Sequence, residues 1–383
     1  MAVTVLALLP GVSLGDALAW DANGGTGGAW ETAANWNPDQ TPVAADTLSI
    51  NAASSSGSPV VISGAAANAT SLMLGNAAGN TGYLSIGNNL TLSGAMTVAF
   101  KGTAEVTQTS GTVSVGNLGV VTHSSSAASP EHGYYTISAG SISTSTTFNV
   151  STNATGTTAQ FHQDGGTITV GTNFMLGSGL TAGSGTGLYE MTAGILTVTG
   201  SGDIAYKSAG TQEFRQSGGT VSIGTTLNIG RGHSTGASTG GILVLSDAAQ
   251  FSVGTNVAVG TGTLTAGPVN GKIKLDGSKT GAGTDMAIGG NLTFGNTQSS
   301  STLIAVIDND AITLASNMRK IGVTGTATFA STSLLDVAFG AGVTPSAGTW
   351  TLLTAATLTD NGLSFAAGVD DDLSDGIGWS FST

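Results

Sequence analysis

Apolar and polar residues alternate with a period of two along most of this chain, in short runs separated by glycine-rich corners. In Val221-Ser222-Ile223, for example, two apolar side chains share one side of a strand and a serine lies on the other. This pattern is typical of a β-strand with one buried face. Helical periodicity is nearly absent, so the sequence predicts an all-β protein.

The strand pattern is repeated at roughly 30-residue intervals. Each copy is an apolar strand, a Gly-centred corner and a second apolar strand, and the best copies begin at Leu84, Ile168, Val221, Phe251 and Met286. Self-similarity of this kind predicts a solenoid, in which each unit buries its apolar edge by stacking on its neighbours.

A third strand precedes each pair, as in Phe161-His-Gln163 before the corner at Gly166. Gly and Asn at the corners tolerate the positive φ that a sharp bend requires. Equivalent corners at Gly87, Gly116, Ser145, Gly171, Thr199, Gly224, Gly254, Gly289 and Gly325 give about nine coils. We therefore predict a single-stranded right-handed parallel β-helix (β-solenoid) of about nine coils of three short strands, with N- and C-terminal caps; the handedness follows the general rule for parallel crossovers.

Aromatic and amide residues recur at fixed positions of the repeat. Tyr134, Tyr135, Phe161, Tyr189 and Phe214 would extend the core if they point inward, and would form a sugar-binding ladder if they point outward. Strand alternation places Phe161 and Gln163 opposite His162, which favours the inward arrangement. Four corner residues, Asn89, Asn173, Asn256 and Asn291, predict an internal amide ladder.

The ends of a solenoid need covers, because an open coil presents unpaired strand edges. Residues 20–50 hold Trp20, Trp30 and Trp36 and predict an N-terminal cap that leads into a strand at Thr47–Ile50. A sugar-stacking platform is the alternative for these tryptophans. Residues 51–340 would form the repeats, and residues 341–383 the closing strands.

Residues 1–19 resemble a secretory signal peptide. The apolar run Val3–Leu14 is followed by Ala17-Leu18-Ala19, the small-x-small pattern that signal peptidase reads. Basic residues do not precede the run, and a first strand at Thr4–Leu8 is the alternative. Since no other segment approaches the roughly 20 apolar residues of a membrane span, we expect a secreted or cell-surface protein without a membrane span.

Charge narrows the range of partners. The chain has 9 basic and 22 acidic residues, a net charge of −13 and no cysteine. Nucleic acid is excluded as an expected partner, since its phosphates require clustered Lys and Arg. A weakly charged, hydroxyl-rich surface suits neutral glycans, other surface proteins or self-association, and the lack of cysteine fits an exported protein held together by its strand hydrogen bonds.

Candidate catalytic chemistry is sparse. A β-helical polysaccharide lyase needs a base beside carboxylates that bind Ca²⁺, and a hydrolase needs paired carboxylates. Asp164, Glu190 and Glu213 lie in successive repeats and would line one face with His162 and Arg215. The alternative is that these five residues are the solvent-facing polar positions of alternating strands.

A second acidic group could hold a metal. Asp370, Asp371 and Asp372 offer the oxygen ligands that Ca²⁺ prefers. They follow neither an EF-hand loop nor the Gly-rich calcium-binding nonapeptide. We therefore expect no cofactor, with Ca²⁺ at this acidic run as the alternative.

The pattern Trp20-x-x-Asn23-Gly24-x-x-Gly27-Gly28-x-Trp30 resembles the opening of secreted, repeat-rich surface proteins of the PEP-CTERM-sorted and autotransporter-passenger type of Gram-negative bacteria. The coils Phe161–Gly171 and Phe214–Gly224 and the ending Gly348–Thr354 are similar to that group too. The resemblance covers nearly the whole chain and implies export, a parallel β-helix, and display or adhesion at the cell surface, with no catalytic residues to carry over. The sorting tail of that group is not found up to Thr383, which leaves the mode of attachment open.

These observations predict a non-catalytic, secreted surface or extracellular-matrix protein with a structural or adhesin-like role. The alternative is a carbohydrate-active β-helix, either a glycan-binding protein or a polysaccharide lyase or hydrolase.

Overall fold

The computed structural model is an all-β solenoid in which each turn of the chain passes through three strand positions. It describes residues 15–21, 28–51, 55–121, 131–150, 157–178, 185–206, 210–231, 240–262, 269–279, 284–308, 317–340, 343, 348–367 and 369. The parallel stacking of about ten turns is consistent with the predicted right-handed parallel β-helix.

The first strand position forms a 13-stranded parallel sheet, here called face 1. Its strands are β2 (Gly28–Ala29), β5 (Val60–Ile62), β8 (Thr81–Ile86), β11 (Thr103–Gln108), β14 (His132–Ile137), β17 (Thr158–Gln163), β20 (Thr186–Met191), β23 (Gln212–Gln216), β26 (Gly241–Ser246), β29 (Asn270–Asp276), β32 (Ser300–Ile307), β34 (Ser333–Phe339) and β36 (Ser364–Phe365).

The other two positions form one 23-stranded sheet, which also includes the short strand β3 (Trp36–Asn37), paired antiparallel with Ala17–Trp20. Face 2 holds β6 (Ala67–Ala69), β9 (Leu90–Leu92), β12 (Thr112–Val115), β15 (Ser141–Thr144), β18 (Thr167–Val170), β21 (Ile195–Val198), β24 (Thr220–Ile223), β27 (Gln250–Val253) and β30 (Met286–Ile288). Face 3 holds β1 (Ala17–Trp20), β4 (Thr47–Ile50), β7 (Ser71–Leu74), β10 (Ala95–Val98), β13 (Asn117–Val120), β16 (Thr147–Val150), β19 (Asn173–Ser178), β22 (Gly202–Tyr206), β25 (Leu227–Arg231), β28 (Val257–Val259) and β31 (Leu292–Phe294).

Two long strands, β33 (Ile321–Phe329) and β35 (Leu353–Asp360), run across both faces 2 and 3. Within the described residues, β5 to β31 therefore make nine consecutive coils of three separate strands, as the repeat count predicts. The same parallel stacking continues beyond residue 340 through β35 and β36, so the described part of the closing segment extends the helix itself.

The interior is lined by the alternating apolar residues. Val221 and Ile223 are buried while Ser222 between them is half-exposed, and this alternation is repeated in most strands of the stack. Burial of each aliphatic side chain contributes roughly 1.5–3 kcal/mol. The core is a continuous apolar column, and no coil would be stable without its neighbours.

Four recurring aromatic rings stack inside this column, which confirms the predicted inward arrangement. The ring centroids of Tyr135, Phe161, Tyr189 and Phe214 are 5.0, 5.1 and 4.7 Å apart in succession, and all four residues are buried. Tyr134 does not belong to this set. It is one residue out of phase, half-exposed on the outer surface of face 1.

The corner asparagines do not form the predicted internal ladder. Asn256 and Asn291 are exposed, and each side-chain oxygen accepts a backbone N–H from the next coil. The predicted equivalence of Asn89 and Gly87 with the other corners is also wrong, because β9 pairs with β12 and both residues therefore precede face 2. Gly325 follows Gly290 in the stack, one position away from the predicted partner, Gly289.

Close coil stacking explains the corner glycines. A Cβ atom added at Gly254 would lie 2.1 Å from the carbonyl oxygen of Gly224 in the coil before it. Real Cβ atoms do not approach backbone oxygen so closely, because the repulsion is steep at that distance. Glycine at this corner therefore allows consecutive coils to stay at strand spacing.

The tryptophans cap the first coil and are buried within it. Trp36 packs edge-on against Trp20 and Trp30, with ring centroids 5.1 Å apart in both pairs, and all three side chains are at most 3% exposed. The sugar-platform alternative is thus excluded for them, and the predicted strand Thr47–Ile50 is present as β4. The capped coil begins before the predicted boundary at residue 20, since β1 pairs in parallel with β4.

Among the described residues, no helix is long and apolar enough to cross a membrane.

Candidate functional site

The register of face 1 places three predicted site residues side by side. His162 on β17 is paired with Glu190 on β20, which is paired with Arg215 on β23. Neighbouring strands lie about 4.8 Å apart, so the three side chains occupy consecutive rungs. They project outward because the adjacent aromatic residues of the same strands fill the core.

These residues and Glu213 form one network, here called the charged cluster (His162, Glu190, Glu213 and Arg215). His162 Nδ1 lies 3.0 Å from Glu190 Oε2, and Arg215 Nη1 donates to Glu190 Oε1 at 3.3 Å. Arg215 also donates to Glu213 Oε1, from Nη2 at 2.9 Å and from Nε at 3.1 Å. One guanidinium therefore holds both glutamates.

The charged cluster is partly exposed to solvent. Its side chains are between 25% and 45% exposed. The hydrogen bond that Arg215 donates to Glu213 raises the pKa of the guanidinium, and partial burial opposes this shift. The charge of Glu213 and the hydrogen bond and charge of Glu190 raise the pKa further, so the guanidinium stays charged. Exposed ion pairs of this kind contribute about 0–1 kcal/mol each to stability.

Asp164 is not part of this cluster. It lies at the exposed corner after β17, where its Oδ1 accepts a hydrogen bond from Thr192 Oγ1 at 2.8 Å. The structure thus brings together four of the five residues that the sequence singled out. The two glutamates are bound to the same cation, whereas a glycosidase places its two carboxylates on either side of the scissile bond.

The calcium candidates Asp370, Asp371 and Asp372 lie outside the described residues. In the part of the chain that the structure does describe, no group of three or more His, Asp or Glu side chains is arranged to hold a metal ion.

Face 2 carries a regular polar column that includes none of the candidate residues predicted from the sequence. Its central outward position is occupied in register by Thr91, Ser114, Ser143, Thr169, Thr197, Ser222 and Ser252. The next two residues of the column, Ala287 and Gly322, have smaller side chains or none, and the surface forms a shallow depression there. The signal in the sequence was the middle residue of each apolar-x-apolar strand, which is uncharged in every described copy and small in all but Asn68 of β6.

A buried ion pair was missed as well. Arg319 is fully buried, and its Nη1 donates to Asp285 Oδ1 at 2.8 Å. Its other nitrogens donate to the carbonyl oxygens of Asp276 and Ser278, at 3.0 and 2.8 Å. Burial lowers the pKa of Arg319 while the neighbouring carboxylates oppose that shift. We call this arrangement the arginine clamp (Arg319 with Asp285); it ties the late coils together and is closed to substrate.

Comparison with known proteins gives no match to a family model, to a curated protein or to a solved structure.

Proposed function

We propose that this protein is a non-catalytic, exported β-helical rod with a structural and adhesin-like role at the cell surface or in the extracellular matrix. The observation that carries this proposal is the pairing within the charged cluster. Since Arg215 binds both Glu190 and Glu213, neither carboxylate is placed as an independent acid or base. His162, Glu190 and Arg215 link the neighbouring strands β17, β20 and β23, and Glu213 pairs with Arg215 within β23.

Export is supported by the apolar run Val3–Leu14, which resembles the core of a secretory signal peptide. Cleavage after Ala19 would remove most of β1, including the buried side chain of Leu18. It would also leave the edge of β4 without its partner strand. The backbone N–H of Asp16 is also bound by the buried carboxylate of Asp46, at 2.9 Å. We therefore expect processing to occur before Asp16.

Neutral glycans are the partners that the surface favours, with other surface proteins and further copies of the rod as alternatives. The described part of face 2 offers hydroxyl groups over many rungs without a charged residue in its central column. A net charge of −13 opposes binding to polyanions. Hydroxyl groups that bind water on the free surface can bind sugar hydroxyls instead, and this replacement costs little free energy.

A carbohydrate-active enzyme is the second candidate, and one observation favours it. The contact between His162 Nδ1 and Glu190 Oε2 could orient the imidazole as a general base, with Arg215 nearby to bind an acidic sugar. This candidate requires that substrate displaces the arginine from at least one glutamate.

A panel of polysaccharides separates the two candidates. The purified chain is incubated with cellulose, mannan, β-1,3-glucan and pectin, and both retention of the protein and new reducing or unsaturated ends are followed. Retention on a neutral polymer without new ends is the expected result. New ends would overturn the non-catalytic role, and absence of retention on every polymer would remove glycans as the partner.

A further inference from the structure

Three outward side chains occupy consecutive rungs near the beginning of face 1. Glu105 on β11 is in register with Tyr83 on β8 and with Tyr134 on β14. Both tyrosines are half-exposed and Glu105 is exposed. We call this group the tyrosine platform (Tyr83, Glu105 and Tyr134).

Hydrogen-bonding side chains flank the platform on both sides. Because alternate residues of a strand share a face, the outward positions two residues away run parallel to it. On these three rungs they are Thr81, Thr103 and His132 on one side, and Ser85, Thr107 and Thr136 on the other. The result is an aromatic and acidic centre with polar margins.

We propose that the tyrosine platform binds an extended, neutral, β-1,4-linked glycan that lies along the axis of the rod. This inference rests on the proposed function and names the part of the surface that carries it. Each tyrosine stacks on the apolar face of a sugar ring, and the carboxylate between them accepts hydrogen bonds from the sugar in the middle.

Spacing favours this occupant. The two tyrosines are two rungs apart, which is about 9.6 Å. A disaccharide unit of an extended β-1,4-linked chain is only slightly longer than this spacing, so sugars one and three would present equivalent faces to Tyr83 and Tyr134. Tyrosine suits this contact because its ring is apolar and its hydroxyl is a hydrogen-bonding group.

Charge selects among glycans. Glu105 has tyrosines as its in-register neighbours, whereas Glu190 and Glu213 in the charged cluster share an arginine. An exposed carboxylate accepts strong hydrogen bonds from sugar hydroxyls. It also repels uronates and sulfated sugars, as does the net charge of the chain.

The geometry predicts a dependence on oligosaccharide length. Cellobiose can stack on only one tyrosine at a time, whereas cellotriose and cellotetraose can reach both. The second stacking contact is expected to raise affinity by about two- to tenfold between cellobiose and cellotriose, measured by isothermal titration calorimetry on the full chain. Maltotriose, whose α-linked chain curves, should show no such increase over maltose.

Matched variants assign this increase to the platform. Y83A and Y134A should each abolish it, and Y83F should retain it because the ring remains. Y206A is the control, since Tyr206 is a half-exposed tyrosine on face 3 that packs against Arg231. Circular dichroism checks that each variant retains its β-sheet spectrum.

Each outcome decides the proposal. An increase that is lost in Y83A and Y134A but kept in Y206A supports it. Failure of the wild-type chain to bind the oligosaccharides, an equal affinity for cellobiose and cellotriose, or an increase that survives both alanine variants would overturn it, while leaving the structural role of the rod intact. Cleavage of the oligosaccharides would instead overturn the non-catalytic function, and the length dependence would still decide the platform.

Discussion

Buried glutamine side chains form hydrogen bonds between neighbouring coils. Gln163 accepts a hydrogen bond from Tyr189 Oη at 2.6 Å and donates from Nε2 to the carbonyl oxygen of Ile195, at 3.0 Å, in the next coil. Gln108 repeats this arrangement with Tyr135 and Ser141. An apolar residue could fill the same space, but a glutamine also satisfies the buried tyrosine hydroxyl and a corner carbonyl.

Replacement of Gln163 by leucine should therefore destabilise the protein. The substitution leaves the hydroxyl of Tyr189 buried without its acceptor, which costs about 1–3 kcal/mol. Chemical denaturation would measure the loss. Q160L, three residues away on the outer surface of the same strand, is the control and should change stability much less. Equal effects of Q163L and Q160L would contradict the role of the inward amide.

The carboxyl group of Glu131 makes the free energy of unfolding depend on pH. Burial raises its pKa from an ordinary value of 4.5 to about 7, and the charge of Lys101 partly opposes that shift. Between these two values the folded chain retains a proton that the unfolded chain releases, so this group lowers stability as pH rises from 4.5 to 7. Above and below that window its contribution is constant.

Glu131→Gln should remove this dependence. Thermal unfolding of the wild type and of E131Q would be followed between pH 4 and about 8, the range that spans both protonation states. We expect the stability of the wild type to fall relative to E131Q across the window. A constant difference between the two proteins would show that Glu131 does not titrate with a raised pKa.

Strand alternation was enough to place most of these residues. It predicted that Phe161 and Gln163 point inward and that His162 points outward, and the structure confirms this. Tyr134 and Tyr135 show its limit, because adjacent residues of one strand must face opposite ways and only one could join the internal stack. The corner asparagines were misplaced because the sequence cannot tell an amide inside a bend from one outside it.

Turns of the solenoid differ in how they are held together. Most rely on backbone ladders and apolar stacking, whereas the late coils also contain the arginine clamp. Its two charged residues are fully or almost fully buried and are separated by 34 residues in the sequence. Removal of Arg319 leaves the buried carboxylate of Asp285 with Lys279 as its cation, whose Nζ lies 3.6 Å from Oδ1. The cost should therefore fall below the roughly 3–5 kcal/mol that is typical when a buried charge loses its only partner.

Arg319→Met is expected to loosen the late coils selectively. Hydrogen exchange should increase in β29, β30 and β33, which lie beside the clamp, while the early coils remain protected, because each coil depends mainly on its neighbours. R231M is the matched control, since Arg231 is exposed at the end of β25. A uniform increase along the rod, or the same effect from R231M, would contradict this account.

The number of coils could be predicted from the repeat, but not every pairing between them. The copy that begins at Leu84 has the same spacing of Ile, Gly, Asn and Leu as the later copies, yet it bends between faces 1 and 2 instead of between faces 2 and 3. The corner between faces 1 and 2 and the corner between faces 2 and 3 both require small residues, so the same sequence motif can form either corner. The arginine clamp was unpredictable for a related reason, since its contacts depend on loops of different length in successive turns.

The whole molecule separates its chemistry by face. Face 1 carries the charged cluster and the tyrosine platform, whereas the described central column of face 2 carries small uncharged residues. Thirteen strands in face 1 give a rod about 58 Å long at the usual strand spacing. A long, regular surface of this kind is suited to a partner that is itself extended, which is why a polysaccharide is favoured over a small molecule.

The most direct test of a non-catalytic rod compares the wild type with the double variant E190Q/E213Q on the polysaccharide panel. Both changes preserve side-chain shape but remove the carboxylates of the charged cluster. We predict equal retention of the two proteins on neutral polymers and no new reducing or unsaturated ends from either. Ends released by the wild type and lost in the double variant would contradict the account and make the charged cluster an active site.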